Sequence, residues 1–239
     1  MQLQPREPLD LVLFYSDLGR PYFPLIKRMT ESAKAVMPWA RTIILTPTPT
    51  PELCAVFDQH VHFTQMQSTV HTICYDKATA IVSWQKGIDR PTVFIDPDLE
   101  FKRPIEFPED ADIGLLWRGT TAYPVNGGMI FTRPGCQKFW TRYGNICAGL
   151  PKPFRAWFAD QLALAIMIGD YHKAGDLVDA YDAKIKLFPC YEICARPEDA
   201  TENTWAIHYK GVRKGVEFEQ FFAPPRLRDV GKLSVVRAS

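Results

Sequence analysis

Residues 91–98 read Pro-Thr-Val-Phe-Ile-Asp-Pro-Asp, an apolar run of strand character that delivers two carboxylates two positions apart. In an extended chain, residues i and i+2 share a face. Asp96 and Asp98 therefore converge if the strand continues through them, or if a turn at Pro97 lets both face one ion. Two hard oxygen ligands at a strand's end suit Mg²⁺ or Mn²⁺, cations that keep open positions for phosphate oxygens. The plainer alternative is a turn that caps the next element, and an acidic pair alone does not exclude it.

Four more features carry chemistry. Asn126-Gly127-Gly128 places two glycines just ahead of an expected strand, where a backbone passes close to something bulky, adopts positive φ, or simply turns. Asp160-Gln161 opens an apolar helix; the acid favours the helix dipole there, or touches a sugar hydroxyl. His208 ends the apolar pair Ala206-Ile207, with Gly211 and Lys214 following. That arrangement offers a metal nitrogen and a diphosphate-binding cation, against the alternative of a structural histidine. Lys77, on the helix before the acidic strand, either reaches a phosphate or extends its ammonium into solvent.

The elements that must position these groups alternate in type. Leu11–Tyr15 reads as a fully buried strand and Thr42–Leu45 as a second. A helix with apolar positions from Phe23 to Met37 lies between them, and the run Thr-Pro-Thr-Pro-Thr-Pro that follows is expected to be loop. Val61–Phe63 is a short strand, Val70–Trp84 a helix, and Thr92–Ile95 the strand that feeds the acids. Strands interleaved with helices predict an α/β fold: a mostly parallel central sheet with helices on both faces. In such sheets the ligand crevice lies beyond the C-terminal strand ends, where Asp17 and Asp96/Asp98 should both open. In the second half, Ile113–Trp117, Gly128–Phe131, Lys184–Leu187 and Trp205–His208 read as strands, and Gln137–Cys147 and Phe158–Ile168 as helices.

At 239 residues one domain is the simpler reading: a ligand-binding part over about 8–105, a completing part over about 106–215, and a basic segment over 216–239. The 46% hydrophobic and 23% charged composition is that of an ordinary globular protein, and a net charge of +1 predicts no general attraction to nucleic acid or anionic lipid. From residue 209 onward, however, seven basic residues face three acids, a stretch able to hold phosphates, lipid headgroups or a nucleic-acid backbone. The six cysteines include no C-x-x-C, and Cys190 and Cys194 stand apart from other ligands, so zinc is not expected. With no signal-like segment and no run approaching 18 apolar residues, a cytoplasmic protein without a transmembrane segment is expected, able at most to sit peripherally on a membrane.

The order of these signals resembles the GT-A glycosyltransferases, nearest the glycogenin and lipopolysaccharide-galactosyltransferase group. The matching pieces are Asp17 and Tyr22, Phe94-Ile-Asp-Pro-Asp, Asn126-Gly-Gly-Met-Ile-Phe, Asp160-Gln161, and His208-x-x-Gly211-x-x-Lys214, spanning roughly residues 10–215. The resemblance implies a single Rossmann-like GT-A domain that binds a nucleotide sugar, a UDP-sugar above all. It implies Mn²⁺ or Mg²⁺ on Asp96, Asp98 and His208, and a diphosphate near Gly211 and Lys214. Asp17 would lie near the base or ribose, Lys77 near the phosphates or sugar, and Asn126, Gly127 and Asp160 near the donor sugar and acceptor. If the acceptor hydroxyl needs a base, Asp160 is the in-chain candidate for an inverting transfer; in a retaining one the donor phosphate takes the proton, and the sequence does not choose between them. The family's usual acceptor is a glycan or lipid-linked sugar at a bacterial surface, with nucleic acid or protein as alternatives. Two departures are visible: Gly215-Val216 stands where the family has Pro-Trp, and Phe188-Pro-Cys-Tyr-Glu where relatives often carry an asparagine.

Two rival classes remain. A haloacid-dehalogenase-type phosphatase also ends an apolar strand in D-x-D, and Asp170 and Asp176 faintly resemble its distal acids. In that class the pair normally follows the first strand and precedes a small pair such as Gly-Thr, not Leu99-Glu100. A non-catalytic nucleotide-binding or protein-interaction module would retain the fold without turnover.

Overall fold

The computed structural model describes residues 7–19, 22–106, 108–119, 123–155, 158–169 and 171–209. Gly211 and Lys214, and the basic C-terminal segment, lie outside them, as does Asp170. Strand β1 (Asp10–Phe14) leads into helix α1 (Phe23–Val36), then β2 (Arg41–Thr46), α2 (Pro51–Ala55), β3 (Gln59–His62), α3 (Ile73–Gln85) and β4 (Thr92–Ile95). Next come β5 (Leu99–Phe101), β6 (Ile113–Trp117), β7 (Val125–Thr132), α4 (Gln137–Gly149), α5 (Lys152–Arg155) and α6 (Ala159–Ile168). The described chain closes with β8 (Leu177–Ala180), β9 (Ala183–Pro189), α7 (Cys190–Ile193), β10 (Cys194–Ala195) and β11 (Ala206–His208).

Eight strands form the central sheet in the order β3-β2-β1-β4-β7-β6-β9-β8. β1 pairs with β2 and β4 in parallel, β2 with β3 in parallel, and β6 with β9 in parallel. β7 runs antiparallel to both β4 and β6, and the edge strand β8 antiparallel to β9. The parallel character thus belongs to the first half, and the second half is mixed. Alternation along each buried strand divides the core. Val12, Phe14, Ile43, Leu45 and Phe94 pack on one side against Ala78 and Ile81 of α3, Trp140 and Tyr143 of α4, and Leu164 of α6. Leu11, Leu13, Ile44, Val93 and Ile95 pack on the other against Ile26, Met29 and Ala33 of α1. Both sheet faces are covered, which is why the central strands read as unbroken apolar runs.

A short helix starts inside the Thr-Pro run. Thr50 accepts the Leu53 N–H at 3.2 Å as N-cap, and Pro51 occupies the first helical turn, where its missing N–H costs nothing. The run that was expected to be all loop therefore ends in α2. Likewise Asn126–Gly128 lies within β7 rather than ahead of it, in extended backbone.

A second sheet, β10-β11-β5, positions the end of the described chain. β11 runs antiparallel to β5 with His208 opposite Leu99 and Ala206 opposite Phe101. The Tyr209 N–H continues the ladder to the Asp98 carbonyl at 2.9 Å. Three residues that directly follow the acidic pair thus recruit three residues from the far end of the described chain. Among the described residues no helix is long and apolar enough to cross a membrane.

Candidate functional site

β4 ends at Ile95, and Asp96-Pro97-Asp98 turns before β5 begins. The turn, not a continued strand, brings both carboxylates to one side. The β5–β11 register then delivers His208, whose Nε2 lies 3.0 Å from Asp98 Oδ1 and 3.8 Å from Asp96 Oδ2. One ligand atom from each of the three residues lies within 4.8 Å of the others. Asp98 and His208 are buried, and Asp96 is the more open of the three. On its other nitrogen, His208 Nδ1 faces Cys194 Sγ at 3.7 Å.

Glycines make this arrangement fit. Between Leu115 and Leu116 the pairing of β6 with β7 shifts register, so residues 127–129 of β7 have no partner on that side. Gly128 passes directly beneath the imidazole: a Cβ there would sit 2.6 Å from His208 Cε1. A Cβ on Gly127 would sit 2.7 Å from Asp160 Oδ2. Of the alternatives open for this pair, close approach of the backbone to bulky groups is the one realised. Asn126 is buried behind them, its Oδ1 accepting the Gly128 N–H at 2.8 Å and its Nδ2 donating to Cys190 Sγ at 3.0 Å.

Lys77 does not extend into solvent. From α3 its Nζ lies 2.6 Å from Asp96 Oδ1, 2.9 Å from the Gly127 carbonyl and 3.3 Å from Asp160 Oδ2. Burial disfavours its charge, but Asp96 and Asp160 more than offset that, and the ammonium is held above the ordinary lysine range. Asp160 opens α6 and is 3% exposed, with Oδ1 accepting the Gln161 N–H at 2.9 Å. The residue serves the helix start and the ion pair at once. Asp96 and Asp160 face the Lys77 ammonium and Asp98 faces His208, so the site holds three carboxylates and one lysine, a formal excess of two negative charges.

These groups line a cavity of about 630 Å³. Tyr15, Ser16 and Leu18, after β1, line it too, whereas Asp17 is exposed and turned into its own loop, accepting the Gly19 N–H at 2.8 Å. Burial, and then Asp17 and Tyr22, push the Tyr15 phenol up to about 12. Burial likewise raises the Cys74 thiol, which also lines the cavity. Sequence reasoning passed over Arg118, Tyr123, Phe158, Tyr191, Cys194 and Arg196, all of which line the cavity. For Arg118 a signal existed: it directly follows the C-terminal end of a buried strand, the position that singled out Asp17. The distal acid of the phosphatase reading, Asp176, does not line the cavity; it accepts the Lys173 N–H at 2.8 Å in the turn before β8.

No protein-family model matches the chain, and no curated protein matches it in sequence. Solved structures do. The chain is similar to a glycosyltransferase involved in glycosylation of the major capsid of PBCV-1, at 10% identity and TM-score 0.57, over 87% of this chain and 96% of that one. It is similar to a galactosyltransferase, LgtC, in complex with donor and acceptor sugar analogues, at 12% identity and TM-score 0.53, over 84% and 87%. It is also similar to the glycosyltransferase GlyE of Streptococcus pneumoniae, at 10% identity and TM-score 0.50, over 69% of this chain and 44% of that one. At these identities the likeness concerns the fold: a mixed α/β domain of GT-A, Rossmann-like architecture.

Proposed function

We propose that the chain is a metal-dependent glycosyltransferase that moves a sugar from a nucleotide-diphosphate donor, a UDP-sugar in the first instance, to an acceptor hydroxyl. One observation carries this reading. Two acids from the middle of the chain and an imidazole from its far end gather at the C-terminal strand ends of a GT-A-like sheet, on the wall of a large cavity. Ligands of open α/β sheets bind at such ends.

The residues fit a divalent cation. Two carboxylates and one imidazole make a donor set suited to Mn²⁺ or Mg²⁺. The site's formal excess of two negative charges, from Asp96, Asp98 and Asp160 against Lys77, is the charge such an ion balances, and a glycine opens the space that the imidazole fills. Asp96, Asp98 and His208 would hold it, and when bound it would neutralise charge developing on the departing diphosphate. Lys77 keeps Asp96 and Asp160 fixed and stays protonated. Gly211 and Lys214, in the segment after Tyr209, would meet the diphosphate.

In the transfer, the acceptor oxygen bonds to the anomeric carbon while the bond from that carbon to the diphosphate oxygen breaks, its electron pair leaving with the diphosphate. The hydroxyl proton goes to Asp160 in an inverting course or to a phosphate oxygen of the donor in a retaining one. The second course needs no protein base, and the configuration of the product distinguishes the two.

The test is release of UDP from a panel of UDP-sugars with Mn²⁺ and with chelator, in the wild type, Asp98→Ala and His208→Ala. We expect metal-dependent release that falls at least 100-fold in both variants. Undiminished release in both would refute the site, and turnover of p-nitrophenyl phosphate instead of any nucleotide sugar would transfer the acidic pair to a phosphatase.

A further inference from the structure

The cavity extends well past the acidic cluster. Arg118 follows β6, and β6 lies three positions from β1 in the sheet, with β4 and its acids between. At about 4.8 Å per strand, the Arg118 end is roughly 14 Å from the Tyr15 end. The acids lie between these two ends, so the cavity has a separate wall on the β6 side of them.

The chemistry of this second end is distinctive. Arg118 is half-buried, yet among the described residues its guanidinium makes one hydrogen bond, from Nη1 to the Tyr123 carbonyl at 3.3 Å. A guanidinium has five N–H donors to satisfy. Arg196 is exposed and lines the same cavity, over the Tyr191 ring at 5.9 Å. Neither arginine has a carboxylate partner among the described residues. The cavity's own acids are committed elsewhere, Asp96 and Asp160 to Lys77 and Asp98 to His208. Next to Arg118, Tyr123 and Phe158 stack with centroids 4.7 Å apart and planes 29° apart. Phe158 holds this place in a left-handed backbone conformation (φ 68°), which a non-glycine residue adopts only when its surroundings impose it.

We propose that this end is the acceptor subsite and that it takes an anionic saccharide, one bearing a carboxylate or a phosphate. Resting on the transferase reading of the same cavity, it adds the acceptor's class. The guanidinium fork binds either anion through paired hydrogen bonds. A partly desolvated cation without a protein anion gains most from a ligand that brings one. The aromatic pair offers its surface to the apolar face of a sugar ring. The anionic group orients the acceptor and takes no part in the bond changes.

The experiment is a ligand-observed NMR titration of the full chain with glucuronate, glucose 6-phosphate and glucose, with and without UDP and Mn²⁺. UDP-sugar hydrolysis is measured in parallel. Wild type should bind both acids at least tenfold more tightly than glucose, with the preference weakening as salt is raised. Arg118→Gln and Arg196→Gln should each reduce it severalfold, and Arg118→Lys should recover part of it. The metal-free arm and the glucuronate arm separate guanidinium binding from a phosphate that simply coordinates Mn²⁺. Equal binding of glucose and the acids, or an unaltered preference in both Gln variants, overturns the subsite. So does a loss confined to UDP affinity, which would assign the arginines to the donor. Hydrolysis without the preference removes the subsite and leaves the transferase reading standing; preference without hydrolysis does the reverse.

Discussion

Substituting Gly128 by alanine tests whether the His208 position is imposed by packing. The added Cβ would lie 2.6 Å from His208 Cε1, 2.9 Å from Nδ1 and 3.1 Å from Asn126 Oδ1. Carbon atoms in contact settle at about 3.5–4.0 Å, so the ring would have to retreat by roughly 1 Å. It has nowhere cheap to go. Its backbone is paired with Leu99, Cys194 Sγ stands 3.7 Å from Nδ1, and Asp98 holds Nε2 at 3.0 Å. Overpacking of this kind costs about 1–3 kcal/mol. Metal sites tolerate displacements of only about 0.2 Å in ligand distance, so a 1 Å shift of Nε2 should weaken Mn²⁺ binding about 10–100-fold. Urea denaturation reads the first quantity, and the electron paramagnetic resonance signal of free Mn²⁺ reads the second. Gly149→Ala, at the end of α4 with nothing within 4 Å, is the control and should not lose stability. In the double variant Gly128→Ala/His208→Ala, the clash disappears and its stability cost should be recovered, a coupling that neither single variant shows. A Gly128→Ala protein that binds Mn²⁺ within twofold of wild type and unfolds at the same urea midpoint would refute the reasoning.

Other perturbations read other parts of the structure. Lys77→Met leaves Asp96 and the buried Asp160 facing each other without their cation, and urea unfolding should show a loss of about 3–5 kcal/mol. Because the folded-state pKa of Lys77 is raised, its contribution is complete below about pH 10 and is lost only as the pH climbs through the folded value. The gap between wild type and Lys77→Met should thus stay level from pH 7 to 10 and narrow above that. Tyr15 keeps its proton to about pH 12 when folded, so ultraviolet titration should lose one late phenol in Tyr15→Phe, while the late phenols of the buried Tyr143 and of Tyr209 remain. Since the unfolded chain releases that proton near pH 10, Tyr15's share of stability declines between about pH 10 and 12. Gly114→Ala would drive a Cβ to 2.8 Å from both the Phe131 and Phe188 rings, and thermal unfolding should register about 1–3 kcal/mol of destabilisation.

How legible each element was in the sequence follows from how many constraints act on it. β4 and β6 were read to the residue because every position in them is buried, leaving no exposed position to blur the ends. β8 was missed: it is an edge strand, half exposed, and its Leu177-Val-Asp-Ala offers little apolar alternation. β5 and β10 were missed because two or three residues are too few for any period to emerge. α2 could have been found, since Thr50-Pro51-Glu52 has the cap, the first-turn proline and the first-turn acid of a helix start. Attention to proline as a breaker hid proline as an initiator.

The site was legible as an order of motifs but not as a set of distances, and the reason lies in the small sheet. Nothing in the spacing of Asp98 and His208 requires them to meet; what joins them is the antiparallel register of β11 on β5. Side chains alternate faces along a strand, so a slip of one residue would turn the imidazole away from Asp98 and place Ile207 in the acidic cluster. Three paired positions must therefore fix a register on which the whole cluster depends. They are helped from both sides: Trp205 accepts the Lys102 N–H at 2.8 Å beyond one end, and the Tyr209 N–H reaches Asp98 beyond the other. Tyr209 itself is anchored, its hydroxyl donating to Glu100 at 2.6 Å and its ring lying 3.8 Å beneath the Arg28 guanidinium. The residues that make the chemistry addressable are therefore partly ones with no chemistry of their own. A search for ligand types along the sequence finds Asp96, Asp98 and His208, but only the tertiary pairing of β5 with β11 makes them one site.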